Sequence, residues 1–111
     1  MFTHASSDGY IPAVEGITRR TLVHGARTLM TEFRLEAGAV LPRHAHPYEQ
    51  TGYLATGCLE LTIGEETFVA RPGDAWSIPA DVPHSGIARE KSVAVEVFSP
   101  AREDYLPVAD T

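Results

Sequence analysis

The sequence is poor in cysteine and in basic residues. Cys58 is the only cysteine among 111 residues, which excludes an internal disulfide and a zinc site built from several cysteines. Nine Lys and Arg stand against fifteen Asp and Glu, so the net charge is −6, and no basic cluster occurs. Nucleic acids require a positively charged surface. We therefore expect no nucleic-acid partner.

Long apolar runs are also absent. No segment approaches the roughly 18 apolar residues of a membrane-spanning helix, and the start, MFTHASSDGY, lacks the basic and apolar regions of a signal peptide. We expect a cytoplasmic protein without membrane contact. A chain of this length forms one domain with a modest core.

The hydrophobic residues that are present alternate with a period of two. Leu59, Leu61 and Ile63 show this pattern, and Gly or Pro interrupts it at short intervals, which predicts many short strands in a sandwich or barrel without useful helices. We assign residues 1–15 to an N-terminal arm, 16–100 to the barrel and 101–111 to a C-terminal tail. The predicted strands span about 20–24, 28–36, 43–48, 51–56, 58–63, 66–71, 75–78, 84–89 and 92–98, within roughly two to four residues.

Two histidines carry the first chemical signal. His44 and His46 are two residues apart, so on a strand they project from one face and can bind one ion at about 2.1 Å. The same parity selects Gln50 as the next ligand. Glu49 falls on the opposite face unless a bulge intervenes, and it remains the alternative. His84, which follows two nearby prolines, offers a third imidazole on a rigid approach.

These residues resemble the two motifs of the cupin family. The first motif reads Gly38, His44, His46, Gln50, Gly57, and the second reads Gly64, Pro72, Gly73, Asp74, Pro79, His84. The resemblance implies an all-β double-stranded β-helix, the cupin-type jelly-roll barrel, with one divalent transition metal (Zn, Ni, Fe, Mn or Cu) inside. Gln50 stands where the general motif has Glu. An ion held by neutral ligands keeps its full charge, which favours Lewis-acid chemistry and an anionic ligand.

A narrower resemblance involves three stretches, HxHPxEQ, RPGDxxxIPxxVPH and VFSPxREDYL. The chain is similar to the small single-domain cupins of pectin degradation, which linearise unsaturated uronates. The resemblance implies that Glu96, Phe98 and Arg102 face the metal pocket as catalytic residues, with Glu96 in place of the usual Asp. Independently, Glu96 and Phe98 share one face of their strand, opposite a valine face that we expect to pack.

Three functions remain open at this point. The first is a metal-dependent, lyase- or isomerase-like enzyme acting on a small anionic sugar acid, with Glu96 transferring a proton. The second is a metal-dependent dioxygenase, and the third is a non-catalytic small-molecule-binding protein. Tyr48, Tyr53 and Trp76 are candidates to line the pocket. We also expect a homodimer, because pairing covers edge strands and apolar surface.

Overall fold

The described part of the chain consists of eight β-strands joined by short connections. The computed structural model describes residues 1–106, and these contain a single short 3-10 helix and no α-helix. In this part of the chain, no helix has the length and apolar character needed to cross a membrane. The elements are β1 (Ile11–Val14), β2 (Ile17–His24), β3 (Leu29–Leu35), β4 (Val40–His44), β5 (Glu49–Ile63), β6 (Glu66–Ala70), β7 (Ala75–Ile78), β8 (His84–Ser99) and the 3-10 helix (Glu103–Tyr105).

Two long strands, β5 and β8, connect the rest of the fold. They pair antiparallel from Glu49 opposite Ser99 to Ile63 opposite His84. The first half of β5 also pairs with β7 and its second half with β6. Likewise, the first half of β8 pairs with β4 and its second half with β3, which continues to β2 and β1. Each long strand thus contributes to both layers of a jelly roll, which confirms the predicted fold class.

Both long strands bend near Gly57. The pairing register shifts there, and Gly57 adopts a φ of +94°. A Cβ atom at Gly57 would lie 2.5 Å from the Lys91 carbonyl oxygen and 2.6 Å from Ser92 Cα. Glycine is required, because a side chain fits neither the left-handed backbone nor this close approach. The bend brings Gln50 and His84, from opposite halves of the pair, to one end of the molecule.

The core lies between the two layers. On β8, Ala94, Glu96 and Phe98 are buried, while the valines at 93, 95 and 97 are only partly buried. The alternation predicted for this strand is correct. The expectation that the valine face packs in the core is wrong, because β-branched side chains also suit the half-exposed outer surface of a sheet. The core cluster consists of Ile17, Leu35, Ala39, Leu54, Leu59, Ala70, Ala88 and Ala94.

The predicted strands differ from the observed ones in number and bounds. The segments 51–56 and 58–63 form one strand, as do 84–89 and 92–98, because a bulge bends a strand without ending its pairing. β4 ends at His44, so His46 lies in the next loop. The sequence pattern does not predict β1, whose four residues are all exposed and lie in the arm. The division into arm, barrel and tail stays a prediction, and residues 107–111 of the tail lie outside the described part.

Candidate metal centre

Three histidines converge at the end of the jelly roll where the long strands begin and end. His44 ends β4 and lies directly opposite His84, the first residue of β8. Their ring centroids are 4.2 Å apart, and the His46 ring is 4.9 Å from that of His84. One ring nitrogen from each histidine lies within 4.8 Å of the others. This group can therefore bind one metal ion, and the spacing is compatible with metal–nitrogen bonds of about 2.1 Å.

Backbone contacts orient all three imidazoles in the same way. Nδ1 of His44 lies 2.9 Å from the Pro42 carbonyl oxygen, Nδ1 of His46 lies 3.1 Å from that of Tyr48, and Nδ1 of His84 lies 3.0 Å from that of Val82. Since a carbonyl oxygen only accepts hydrogen bonds, each Nδ1 must be the donor. In each ring, Nε2 is then the nitrogen left to face the centre of the group.

The protonation of these rings also suits metal binding. Burial lowers the pKa of His84 to about 4 and lowers the pKa of His46, so both rings are neutral at pH 7. Nε2 of His84 is buried and has no hydrogen-bond partner among the described residues. A buried polar atom without a partner is costly. A cation at the centre of the group would satisfy it.

Gln50 joins the histidines to a buried carboxyl group. Its amide nitrogen donates to Oε2 of Glu96, which places Oε1 on the other side, 2.9 Å from Nε2 of His46. A neutral His46 that already donates from Nδ1 has no proton left for Oε1. Nε2 and Oε1 are therefore both acceptors, and two acceptor atoms 2.9 Å apart can act as two ligands of one cation. Glu49, the alternative ligand, is exposed on the opposite face of β5.

Glu96 is buried beside this group. Trp76 donates a hydrogen bond of 3.0 Å from Nε1 to Oε1, and Gln50 donates to Oε2. Burial raises the pKa of Glu96 to about 7, although both hydrogen bonds and the nearby Arg102 favour the charged form. A cavity of about 50 Å³ with otherwise mostly apolar walls adjoins Glu96. Near neutral pH, the carboxyl group can therefore accept or donate a proton.

Phe98 and Arg102 complete the surroundings predicted from the sequence. Phe98 is 1% exposed, and its ring meets that of His46 edge-on at 5.7 Å. The Arg102 guanidinium carbon is 4.9 Å from the Phe98 centroid and 5.0 Å from that of Tyr48. Arg102 also pairs with Asp104 at 2.7 Å. The structure thus brings the predicted residues His44, His46, Gln50, His84, Glu96, Phe98 and Arg102 together.

Other sequence expectations need correction or addition. Tyr53 is 51% exposed on the outer face of β5 and does not line the pocket, because it alternates with the inward-facing Gly52. Trp76, by contrast, does reach the site. Sequence analysis missed Arg19 and Tyr105, whose side chains stack near Arg102. The only available signal for Tyr105 was its place in the VFSPxREDYL stretch, and nothing marked Arg19.

Comparison with known proteins decides the family. The cupin domain profile matches residues 31–99, which is more than half of the chain. The chain is a cupin. The pectin degradation protein KdgF of Dickeya dadantii is 30% identical to this cupin over 94 residues, which make up 83% of this chain and 86% of that protein.

Solved structures agree with this assignment. The structure of KdgF from a Halomonas species has a TM-score of 0.90 and 29% identity, and the match covers 96% of this chain and 98% of that one. An RmlC-like cupin from Shewanella frigidimarina has a TM-score of 0.89 with 24% identity over 95% of both chains, and this match supports the fold. The cupin is therefore related to pectin degradation proteins, and its three-histidine group can bind a metal.

Proposed function

We propose that this cupin is a metal-dependent enzyme that linearises an unsaturated uronate monosaccharide. The observation that carries the proposal is the position of Gln50, whose amide contacts His46 on one side and Glu96 on the other. A candidate acid or base is thus fixed next to a group that can hold a metal. The relationship to KdgF, a pectin degradation protein, supports a substrate derived from pectin.

The proposed metal ligands are His44, His46, Gln50 and His84. None of the four is an anionic ligand, and this donor set suits Zn, Ni, Fe, Mn and Cu. When bound, a divalent ion would supply Lewis-acid polarisation of a substrate oxygen. Elemental analysis of the purified protein identifies the ion. The proposal predicts one equivalent per chain and its loss in His44→Ala and His84→Ala.

The remaining steps belong to the protein side chains. Ring opening requires that a proton leave one oxygen of the sugar and that a proton be returned elsewhere on the same molecule, so the product is an isomer of the substrate. Glu96 moves the proton at its carboxyl oxygens, because burial brings its pKa to about 7. Arg102 binds the carboxylate of the sugar through its guanidinium group. Phe98 excludes water between the histidines and Arg102.

The test is to supply unsaturated galacturonate and follow the loss of its ultraviolet absorbance. We expect the wild type to accelerate this loss and Glu96→Gln to lower the rate by about 10² to 10⁴, the usual contribution of general acid–base catalysis. Metal content is measured in parallel, because the new amide cannot accept hydrogen bonds from both Trp76 and Gln50 as the carboxylate does. Glu90→Gln, on the exposed part of the same strand, is the matched control.

Two results would overturn the proposal. No acceleration by the metal-loaded wild type would exclude the uronate reaction, and oxygen consumption in its place would favour a dioxygenase. Equal activity of wild type and Glu96→Gln would exclude proton transfer by Glu96.

A further inference from the structure

The segment that carries Arg102 to the site belongs to neither layer of the jelly roll. β8 ends at Ser99, and only a three-residue 3-10 helix follows within the described chain. The Arg102 side chain is nevertheless only 14% exposed, and two of its nitrogens donate to the Asp104 carboxylate at 2.7 and 3.1 Å. Without strand pairing, side-chain contacts must hold this arginine in place.

Tyr105 supplies the central contact. Its ring centroid lies 3.8 Å from the guanidinium carbon of Arg102 and 3.9 Å from that of Arg19. Two guanidinium groups this close to one centroid must lie on opposite faces of the ring, because on one face they would overlap. The same ring meets Phe98 edge-on at 5.4 Å, and the Thr21 hydroxyl donates a hydrogen bond to the Tyr105 carbonyl.

Arg19 gives this stack a rigid support. It lies on β2 opposite Phe33, and it is two residues from Ile17, which is 2% exposed in the core. Residues two apart on a strand share a face, so Arg19 projects toward the inner side of its sheet. β2 is paired on both sides, with β1 and with β3. The stack therefore runs from Arg19, which lies on a strand, through the Tyr105 ring to Arg102.

We infer that Tyr105, held against Arg19, is a positioning residue that keeps the Arg102 guanidinium where the carboxylate of the ligand binds. The inference rests on the proposed function, in which Arg102 binds that carboxylate. The charges agree with an anionic ligand, because two guanidinium groups flank the ring and one carboxylate, Asp104, pairs with Arg102. Displacement of a binding group by 1 Å can cost about a hundredfold in rate.

The chemistry of the stack suggests a pair of variants of similar size. A cation is attracted to the face of an aromatic ring, whether the ring belongs to tyrosine or to phenylalanine. Tyr105→Phe keeps this attraction, whereas Tyr105→Leu keeps apolar bulk and removes it. Tyr53→Ala, on the outer face of β5, is the control for loss of an aromatic ring.

The experiment measures binding of D-galacturonate and of its uncharged methyl ester to the metal-loaded protein by calorimetry. We expect Tyr105→Leu to weaken galacturonate binding by about 10- to 100-fold and to leave ester binding unchanged. Tyr105→Phe and Tyr53→Ala should bind like the wild type. If Tyr105 acts through Arg102, adding Tyr105→Leu to Arg102→Met should have no further effect, since residues that act together are not additive. Melting temperatures confirm that each variant is folded.

Three results would overturn the inference: additive losses in the double variant, equal losses in Tyr105→Phe and Tyr105→Leu, or no binding of galacturonate by the wild type. Failure of the proposed reaction is a separate result. If the two residues are coupled in binding but unsaturated galacturonate is not consumed, the reaction is wrong and the positioning role stands. If the reaction occurs without coupling, the positioning role is wrong.

Discussion

Gly52 makes the space in which Trp76 reaches Glu96, and filling that space should disturb the site. Gly52 lies on β5 directly between Trp76 of β7 and Glu96 of β8. A Cβ atom at Gly52 would lie 2.5 Å from Cζ2 of Trp76, whereas carbon atoms in contact are about 3.5 Å apart. In Gly52→Ala the indole ring must therefore move by about 1 Å. A movement of this size along the hydrogen bond to Glu96, now 3.0 Å, would lengthen that bond to about 4 Å and break it.

The expected cost has two parts. Forcing extra atoms into a packed interior costs about 1–3 kcal/mol, and losing a hydrogen bond to a charged group costs about 1.5–3 kcal/mol. We expect the free energy of unfolding to fall by about 2.5–6 kcal/mol in total. The pKa of Glu96, which burial already raises to about 7, should rise further, because its charged form loses a donor.

The assay uses the only tryptophan of the chain. Urea unfolding followed by Trp76 emission gives the stability, and the emission of the folded protein reports the displacement of the ring. Gly25→Ala is the control, because a Cβ atom there meets nothing within 4 Å. The reasoning is refuted if Gly52→Ala has the same Trp76 emission as the wild type and loses no more stability than Gly25→Ala.

Three further predictions concern the bend, the ligand set and the assembly. Gly57→Ala should lower the free energy of unfolding by about 2–5 kcal/mol, because the new side chain meets both a left-handed backbone and close neighbours. Gly73→Ala, at nearly the same φ but in open space, should lose only the backbone part of about 1–2 kcal/mol. Equal losses in urea titrations would argue against the close approach. Gln50→Glu should raise the pKa of Glu96, because the carboxylate loses a donor and gains a negative neighbour. A pH titration of Trp76 emission whose midpoint is no higher than that of the wild type would contradict this. We also expect a homodimer, and light scattering that reports only monomer at micromolar concentration would refute it.

The part of the site that could be predicted from the sequence depends on strand alternation. Alternation within β5 separates Gln50 from Glu49, and the structure buries the first and exposes the second. The count from His46 to Gln50 does not hold, because β4 ends at His44 and His46 lies in a loop. The pairing of Glu96 with Phe98 on one face follows from the same rule. Alternation does not say which face is inner, and so the prediction that the valine face of β8 packs inward is wrong. That choice depends on the neighbouring strands, which lie far away in the sequence.

Contacts between distant segments leave no local signal. Trp76 meets Glu96 because β7 and β8 both flank the first half of β5, and spacing along the chain does not encode this neighbourhood. Tyr105 follows the last strand, where no periodicity marks a packed residue. For His84, the nearby prolines and the cupin motifs indicate a ligand, but its place opposite His44 depends on the pairing of β4 with β8.

The side-chain amide of Gln50 contacts both His46, of the three-histidine group, and Glu96. An amide has an acceptor oxygen on one side and a donor nitrogen on the other, whereas an ionised carboxylate has acceptors only. A glutamate at position 50 would face the Glu96 carboxylate, and one of the two groups would have to keep a proton. With glutamine, the oxygen faces His46 while the nitrogen fixes Glu96 by a hydrogen bond that favours its charged form. In the proposed reaction, the amide would therefore add no negative charge to the ligands of a bound ion and would hold Glu96 in place without blocking its proton exchange, and both features favour acid–base chemistry beside a Lewis acid.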